Sequence, residues 1–362
     1  MRSEWKKNWE ESREHFVDWW KHDGLVLGCW DLDISNTNPL SPVEKPDVYA
    51  KIEDRYRDPQ LFSRLNHYRL ANSHFPADIL PISYTNLGPG SLSLYLGCTP
   101  DFSNDTVWYK PCWHKLDDPE ELPTLVFDSS NYWWKITEEI LKSSIEIADG
   151  RYFAGCPDLV ENIDILSSLR DSQLLMMDMI ERPQWVEKKI GEINRVYFDV
   201  YDRVYQIIKQ DDGGACFGPF RIWGPGKTAK VQCDASAMFS PDMFRQFALS
   251  ALKEQCSWLD YSMYHLDGTQ AICHLDAILE IEDLDAVEWT PQAGIEDGGN
   301  ERWYPMYRKI LASGKSLQVI NVLPNEIKPL LNAIGTKGVY IHGIFHTLGE
   351  VQAASELVEQ YR

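Results

Sequence analysis

Positive charge is scarce in this sequence: 35 Lys and Arg face 55 Asp and Glu, for a net charge of −20 and a pI near 4.8. A chain this acidic lacks the basic face that nucleic acids or anionic membrane surfaces require. No apolar run reaches the roughly eighteen residues of a membrane span. Eight cysteines occur, at 29, 98, 112, 156, 216, 233, 256 and 273, and none forms a C-x-x-C pair. The start of the chain is charged and has no signal-like apolar stretch, so reduced thiols in a cytoplasmic protein are expected. No G-x-G-x-x-G or Walker loop appears at a strand-to-helix turn, which leaves a nucleotide-binding open sheet without support. Internal repeats, linkers and low-complexity segments are also missing.

What is present is an ordinary globular composition, 44% hydrophobic over 362 residues, with an unusual 14 Trp. That is ample for a large core. Trp5, Trp9, Phe16 and Trp19/Trp20 recur near helical spacing, predicting an amphipathic helix over 3–22 that packs under the rest of the chain. Leu25–Trp30 reads as a short buried strand, and 34–60 as a long loop. Strands are expected at 75–82, 151–158, 215–223 (with a break at Pro219), 231–234, 261–267, 284–291, 316–321 and 338–341. Helices are expected near 58–73, 131–149, 163–180, 183–209, 271–281, 301–313, 324–333 and 349–361. One more should start at Ser240-Pro241-Asp242, where Ser is a good N-cap and Pro fits the first turn. Such alternation implies a parallel sheet, and the count favours a (β/α)8 TIM barrel in one domain, 1–362, with the helix 1–23 as an N-terminal extension.

In a barrel the catalytic face collects the C-terminal strand ends. Here these are Asp31/Asp33, Asp78, Asp158, Asp234, His265/Asp267, Glu288, Asn321 and His342/His346. The key stretch is Tyr261-Ser-Met-Tyr-His265-Leu-Asp267-Gly268. In a strand, residues i and i+2 share a face, so His265 and Asp267 project together, and Gly268 permits a sharp turn. Imidazole and carboxylate together suit a divalent metal, zinc first, with one position open. The third ligand expected is His346 or His342, placed two strands away in a closed barrel. Glu288 and Asp234 are the candidate acid and base. Asp78, Asp158, Trp223, Trp289 and His342 are candidates for substrate binding. A lone strand-end Asp serves equally well as a helix N-cap, and Trp223 and Trp289 equally well as core.

Several segments in order — Gly155-Cys-Pro-Asp158, Ser240-Pro-Asp-Met-Phe-Arg-Gln-Phe, Tyr264-His-Leu-Asp-Gly268, Leu284-Asp-Ala-Val-Glu-Trp289 and Gly338-Val-Tyr-Ile — resemble the uroporphyrinogen decarboxylase superfamily over about residues 75–361. The resemblance implies a TIM barrel. True decarboxylases of that family carry an Arg-rich N-terminal motif, where this chain has the acidic Leu25-Val-Leu-Gly-Cys-Trp-Asp-Leu-Asp33. The other branch comprises zinc-dependent methyltransferases that exchange methyl groups with corrinoid proteins. It has His-x-Cys-Gly where this chain has His265-Leu-Asp267-Gly268, and a further Cys whose position falls nearest His346. Replacing both thiolates makes a harder site. The expectation is therefore a metal-dependent methyltransferase-like enzyme acting on a small O- or N-methylated substrate, with a corrinoid protein as partner. The alternatives are a lyase, decarboxylase or carbohydrate-active enzyme using strand-end carboxylates, and a non-catalytic binding protein.

Overall fold

The computed structural model describes residues 3–362 except 31, 33–39, 48, 104–105 and 117; Asp31 and Asp33 lie outside the described residues. The described residues form twelve strands, most of them separated by helices: β1 (Leu25–Gly28), β2 (Ile82–Ser83), β3 (Thr99–Phe102), β4 (Val107–Lys110), β5 (Phe153–Cys156), β6 (Ala215–Phe217), β7 (Ile222–Gly224), β8 (Thr228–Gln232), β9 (Tyr261–Asp267), β10 (Ala286–Thr290), β11 (Ser316–Val322) and β12 (Val339–Gly343). Six form one parallel sheet in the order β1-β12-β11-β10-β9-β8. Four more run β2-β5-β6-β7, parallel until the last pair, which is antiparallel. β3 and β4 make a separate hairpin. The result is mixed α/β with central parallel strands under helices, a barrel-like arrangement in two hydrogen-bonded pieces. Asp78 N–H donating to Leu27 O at 2.9 Å joins the approach to β2 onto β1.

The strand expected over 215–223 does break at Pro219, and its two halves fold back on each other as the β6–β7 hairpin. Gly218-Pro219-Phe220-Arg221 reverses the chain, because Pro219 has no N–H for a ladder, and Arg221 takes a positive φ of 54°. Gly155 permits the approach: a Cβ there would lie 3.0 Å from the Cα of Gly218. Both sheets grip this turn. Gln318 Nε2 of β11 donates to Phe220 O at 2.9 Å, Tyr340 Oη of β12 to Arg221 O at 3.0 Å, and Arg221 Nη1 to Ile82 O of β2 at 3.0 Å. The turn therefore fills the space between the sheets.

The helix Trp9–Trp20 packs across the N-terminal strand ends as its Trp spacing implies. Phe16 and Trp19 are fully buried against Tyr340, and Ser316 at the start of β11 donates to Trp19 O at 2.5 Å. The helix expected over 163–180 is two, Asn162–Arg170 and Ser172–Glu181, divided at Asp171, whose φ is 87° and whose carboxylate caps the second. The apolar run 75–81 is a buried loop leading into β2, not a strand.

Candidate functional site

β9 carries His265 and Asp267 to the C-terminal edge of the six-stranded sheet. Gly268 follows with a φ of 73°, the turn its sequence position calls for. β8 pairs alongside, with Gln232 opposite His265, and the chain then turns at Asp234 into a short 3-10 helix. Donor atoms of Asp234, His265 and Asp267 all lie within 4.8 Å of one another. On the other side β10 sets Glu288 opposite His265. Glu288 is fully buried; it accepts from His265 Nδ1 at 2.5 Å and from Thr290 Oγ1 at 2.7 Å. Assigned this way, Nδ1 carries the proton and Nε2 keeps its lone pair for the cluster. That is the carboxylate–histidine arrangement in which an outer carboxylate orients a metal-binding imidazole. Burial works to lower the His265 pKa, but Glu288 and, behind it, Asp234 together outweigh it and the net shift is upward.

A second set of buried polar groups holds Asp234. Asp164 accepts from the backbone N–H of Asp234 at 2.8 Å and of Ala235 at 2.9 Å, and from Gln232 Nε2 at 2.9 Å. Gln232 Nε2 also donates to Asp234 Oδ2 at 2.8 Å. Lys230 is buried, contacts Gln232 Oε1, and pairs with Asp158 at 2.9 Å. Burial alone would depress this ammonium, yet Asp158 and Glu161 hold its pKa above the ordinary lysine value. Glu161 accepts from Gln232 N–H at 2.7 Å, and burial drives its own pKa far up. Val160 and Asn162, flanking Glu161, both take positive φ, 56° and 44°. Such backbone is costly for a β-branched residue and persists only where its surroundings enforce it; here it delivers Glu161 and Asp164 to β8.

Asp234 is an exposed residue at the cleft, but its carboxyl is packed among other polar groups. Burial of the carboxyl group itself, and then Asp164, push its pKa up to about 7, against the pull of His265 and Lys230. It borders a cleft of about 340 Å³ lined also by Asp164, Gln232, Ser168, Pro89 and Met238. Carboxylates outnumber cations around the cluster, so the donor set and the local charge both fit a divalent ion.

The other sequence candidates scatter. Asp78 precedes β2 instead of ending it, and sits at the opposite face: it is fully buried, bonded to His15 Nδ1 at 2.8 Å, Arg362 Nη2 at 2.6 Å and Leu27 N at 2.9 Å. Trp223 is buried on that same side, 5.2 Å from Trp9, with its carbonyl taken by Trp20. Trp289 points away from His265 and packs 4.9 Å from Trp303. Asp158 lies near the cluster but is occupied by Lys230. His342 and His346 belong to β12 and its loop, three strands from β9 rather than two. His346 is exposed and outside the ligand cluster. His342 is fully buried against Trp30, at 4.3 Å, and its pKa is lowered to about 3 by burial and by Arg221. Among the described residues it is Asp234, not His346, whose donor atom lies with those of His265 and Asp267. Sequence reading missed Lys230, Gln232 and Asp164. Lys230-x-Gln232-x-Asp234 alternates on one face, a signal lost by starting the strand at Val231.

No family model matches the chain, and no curated protein matches it. It shares its fold with a methyltransferase. A solved methyltransferase from Methanosarcina mazei superposes with a TM-score of 0.61 at 13% identity, over 97% of this chain and 98% of that one. At that identity the likeness establishes the fold alone. Among the described residues no helix is long and apolar enough to cross a membrane.

Proposed function

We propose that the chain is a metal-dependent, methyltransferase-like enzyme of the uroporphyrinogen decarboxylase superfamily, taking a methyl group from a small O- or N-methylated substrate for a corrinoid protein. The observation that carries the metal reading is the Asp234–His265–Asp267 cluster with Glu288 behind His265. The fold shared with a methyltransferase, and the ordered segments that resemble that superfamily, support the reaction class. The barrel expected from sequence fits this reading, with the cluster at its C-terminal rim.

Asp234, His265 and Asp267 would hold the metal, zinc first, with Asp234 also bordering the cleft. Bound there, a divalent ion supplies a Lewis acid for the substrate heteroatom and improves it as a leaving group. The chain does the rest. Glu288 fixes the His265 tautomer and raises its basicity. Asp164 and Gln232 pin Asp234, and Lys230 offsets part of the accumulated negative charge. With Asp267 in place of a thiolate and a second aspartate, Asp234, in the set, the site is harder, which favours oxygen and nitrogen over sulfur substrates. One observation favours a second reading, acid–base chemistry of a lyase or glycosidase type: the metal-free Asp234 carboxyl near 7 beside Asp267.

The test is metal content of chelator-free protein against a His265→Ala/Asp267→Ala variant. One divalent ion per chain, lost in the variant, supports the metal reading. Methylation of free cob(I)alamin, followed by its visible spectrum with O- and N-methylated donors, then tests the transfer. A folded protein without metal would overturn the proposal and leave the carboxylate chemistry.

A further inference from the structure

All eight cysteines are free thiols, and two of them meet. Cys98 directly precedes β3 and Cys112 follows β4 by two residues. The hairpin register, with Thr99 opposite Lys110, brings both off its open end on adjacent strands. Their sulfurs lie 4.0 Å apart. Each side is anchored. Cys98 N–H donates to Ser93 O at 2.9 Å; beyond Cys112, Trp113 N–H donates to Leu169 O at 2.8 Å, and Arg170 Nη1 to Trp113 O at 2.7 Å. Cys98 is buried and Cys112 is exposed, so one thiol can be reached from solvent while the other waits behind it. Cys98 Sγ also reaches Ser168 O at 3.4 Å, on the helix that lines the Asp234 cleft.

We propose that Cys98 and Cys112 are a reversible dithiol–disulfide couple, oxidised by a low-molecular-weight disulfide. The Cys112 thiolate attacks one sulfur of the oxidant, RSSR, forming a Cys112–S–SR mixed disulfide and expelling one RS⁻. Cys98, giving up its proton to that thiolate, then attacks Cys112 Sγ and expels the second RS⁻. Two protein thiols and one RSSR become one protein disulfide and two RSH, so the pair loses two electrons and the oxidant gains them. The sulfurs must close from 4.0 Å to about 2 Å, which side-chain rotation supplies when the backbone is already placed. Electrostatics fit these roles: the Cys98 S–H directed at Cys112 lowers the Cys112 pKa, and sharing that proton raises the pKa of Cys98. The low-pKa, exposed thiol is the attacking one. Cys98 has one S–H to share between Cys112 and Ser168 O, and oxidation removes it, so the redox state is felt at the cleft wall. Cys273 is exposed too, but its sulfur faces Gln270 O and His274, giving it no resolving partner. The couple stands independently of the metal reading.

The whole reduced protein is incubated with oxidised and reduced glutathione at graded ratios, acid-quenched, alkylated and mapped by mass spectrometry without reduction. The expected result is a linked Cys98–Cys112 peptide that dithiothreitol reverses, with glutathione persisting only on Cys273. Cys112→Ser, at an exposed position, should remove the link. Cys98→Ser should leave a stable glutathione adduct on Cys112. A persistent adduct on wild-type Cys112 with Cys98 still alkylatable, or links joining Cys98 to other cysteines, would overturn the proposal.

Discussion

Glu288→Gln isolates the electrostatic half of the site. The side chain is fully buried and accepts from His265 Nδ1 at 2.5 Å and from Thr290 at 2.7 Å. Gln has the same length, and its oxygen can still accept one of these bonds, so volume and packing are nearly conserved. What disappears is the negative charge that counters burial at His265 and holds its pKa up. Removing an outer-sphere carboxylate of this kind costs about 10–100-fold in metal affinity, or about 1.4–2.8 kcal/mol. His265→Ala should cost more, because it deletes a donor outright. The assay is zinc competition against a chromophoric chelator, with the melting transition of the apoprotein as a folding control. Wild-type affinity in a folded Glu288→Gln variant would refute the orienting role, and with it the reason for reading His265 as a ligand.

Four further outcomes follow from the contacts. Asp164→Ala leaves the N–H groups of Asp234, part-buried, and Ala235, buried, unpaired; chemical denaturation should show a loss of about 1–3 kcal/mol from the buried one and less from the other, and zinc affinity should fall with it. Asp78→Asn breaks a buried charge cluster on the opposite face, which should cost about 3 kcal/mol while zinc affinity stays unchanged. His346→Ala should leave zinc affinity within about twofold, the limit of an exposed side chain outside the cluster. His342 has a folded pKa near 3 against 6.5 unfolded. The unfolded chain binds the extra proton between those values, so stability is full above 6.5 and falls as pH drops, by up to about 1.4 kcal/mol per unit. In urea titrations at pH 7 and 5, His342→Gln should shrink that pH dependence; an unchanged slope would refute the assignment.

Which residues could be interior and which segments could be elements was legible in the sequence. Helical Trp spacing marked the helix that packs beneath the strands, the Pro-led helix starts were legible, and period-two alternation placed His265 and Asp267 on one face. These are local properties, written in neighbouring side chains and backbone chemistry. Tertiary structure decided the partners. Asp234 becomes the third member of the cluster because β8 lies beside β9 and Asp164, 70 residues earlier, clamps its turn. Glu288, a candidate acid on paper, is buried by β10 and bonded to His265, the contact behind the orienting role proposed for it. Asp78 and Trp223, plausible rim residues on paper, go to the far face, since a buried loop and a hairpin reversal replaced the expected strands. Each of these outcomes depends on which strand pairs with which. That choice is made by long-range packing and by the entropy of the connecting loops, and no short window of sequence contains it.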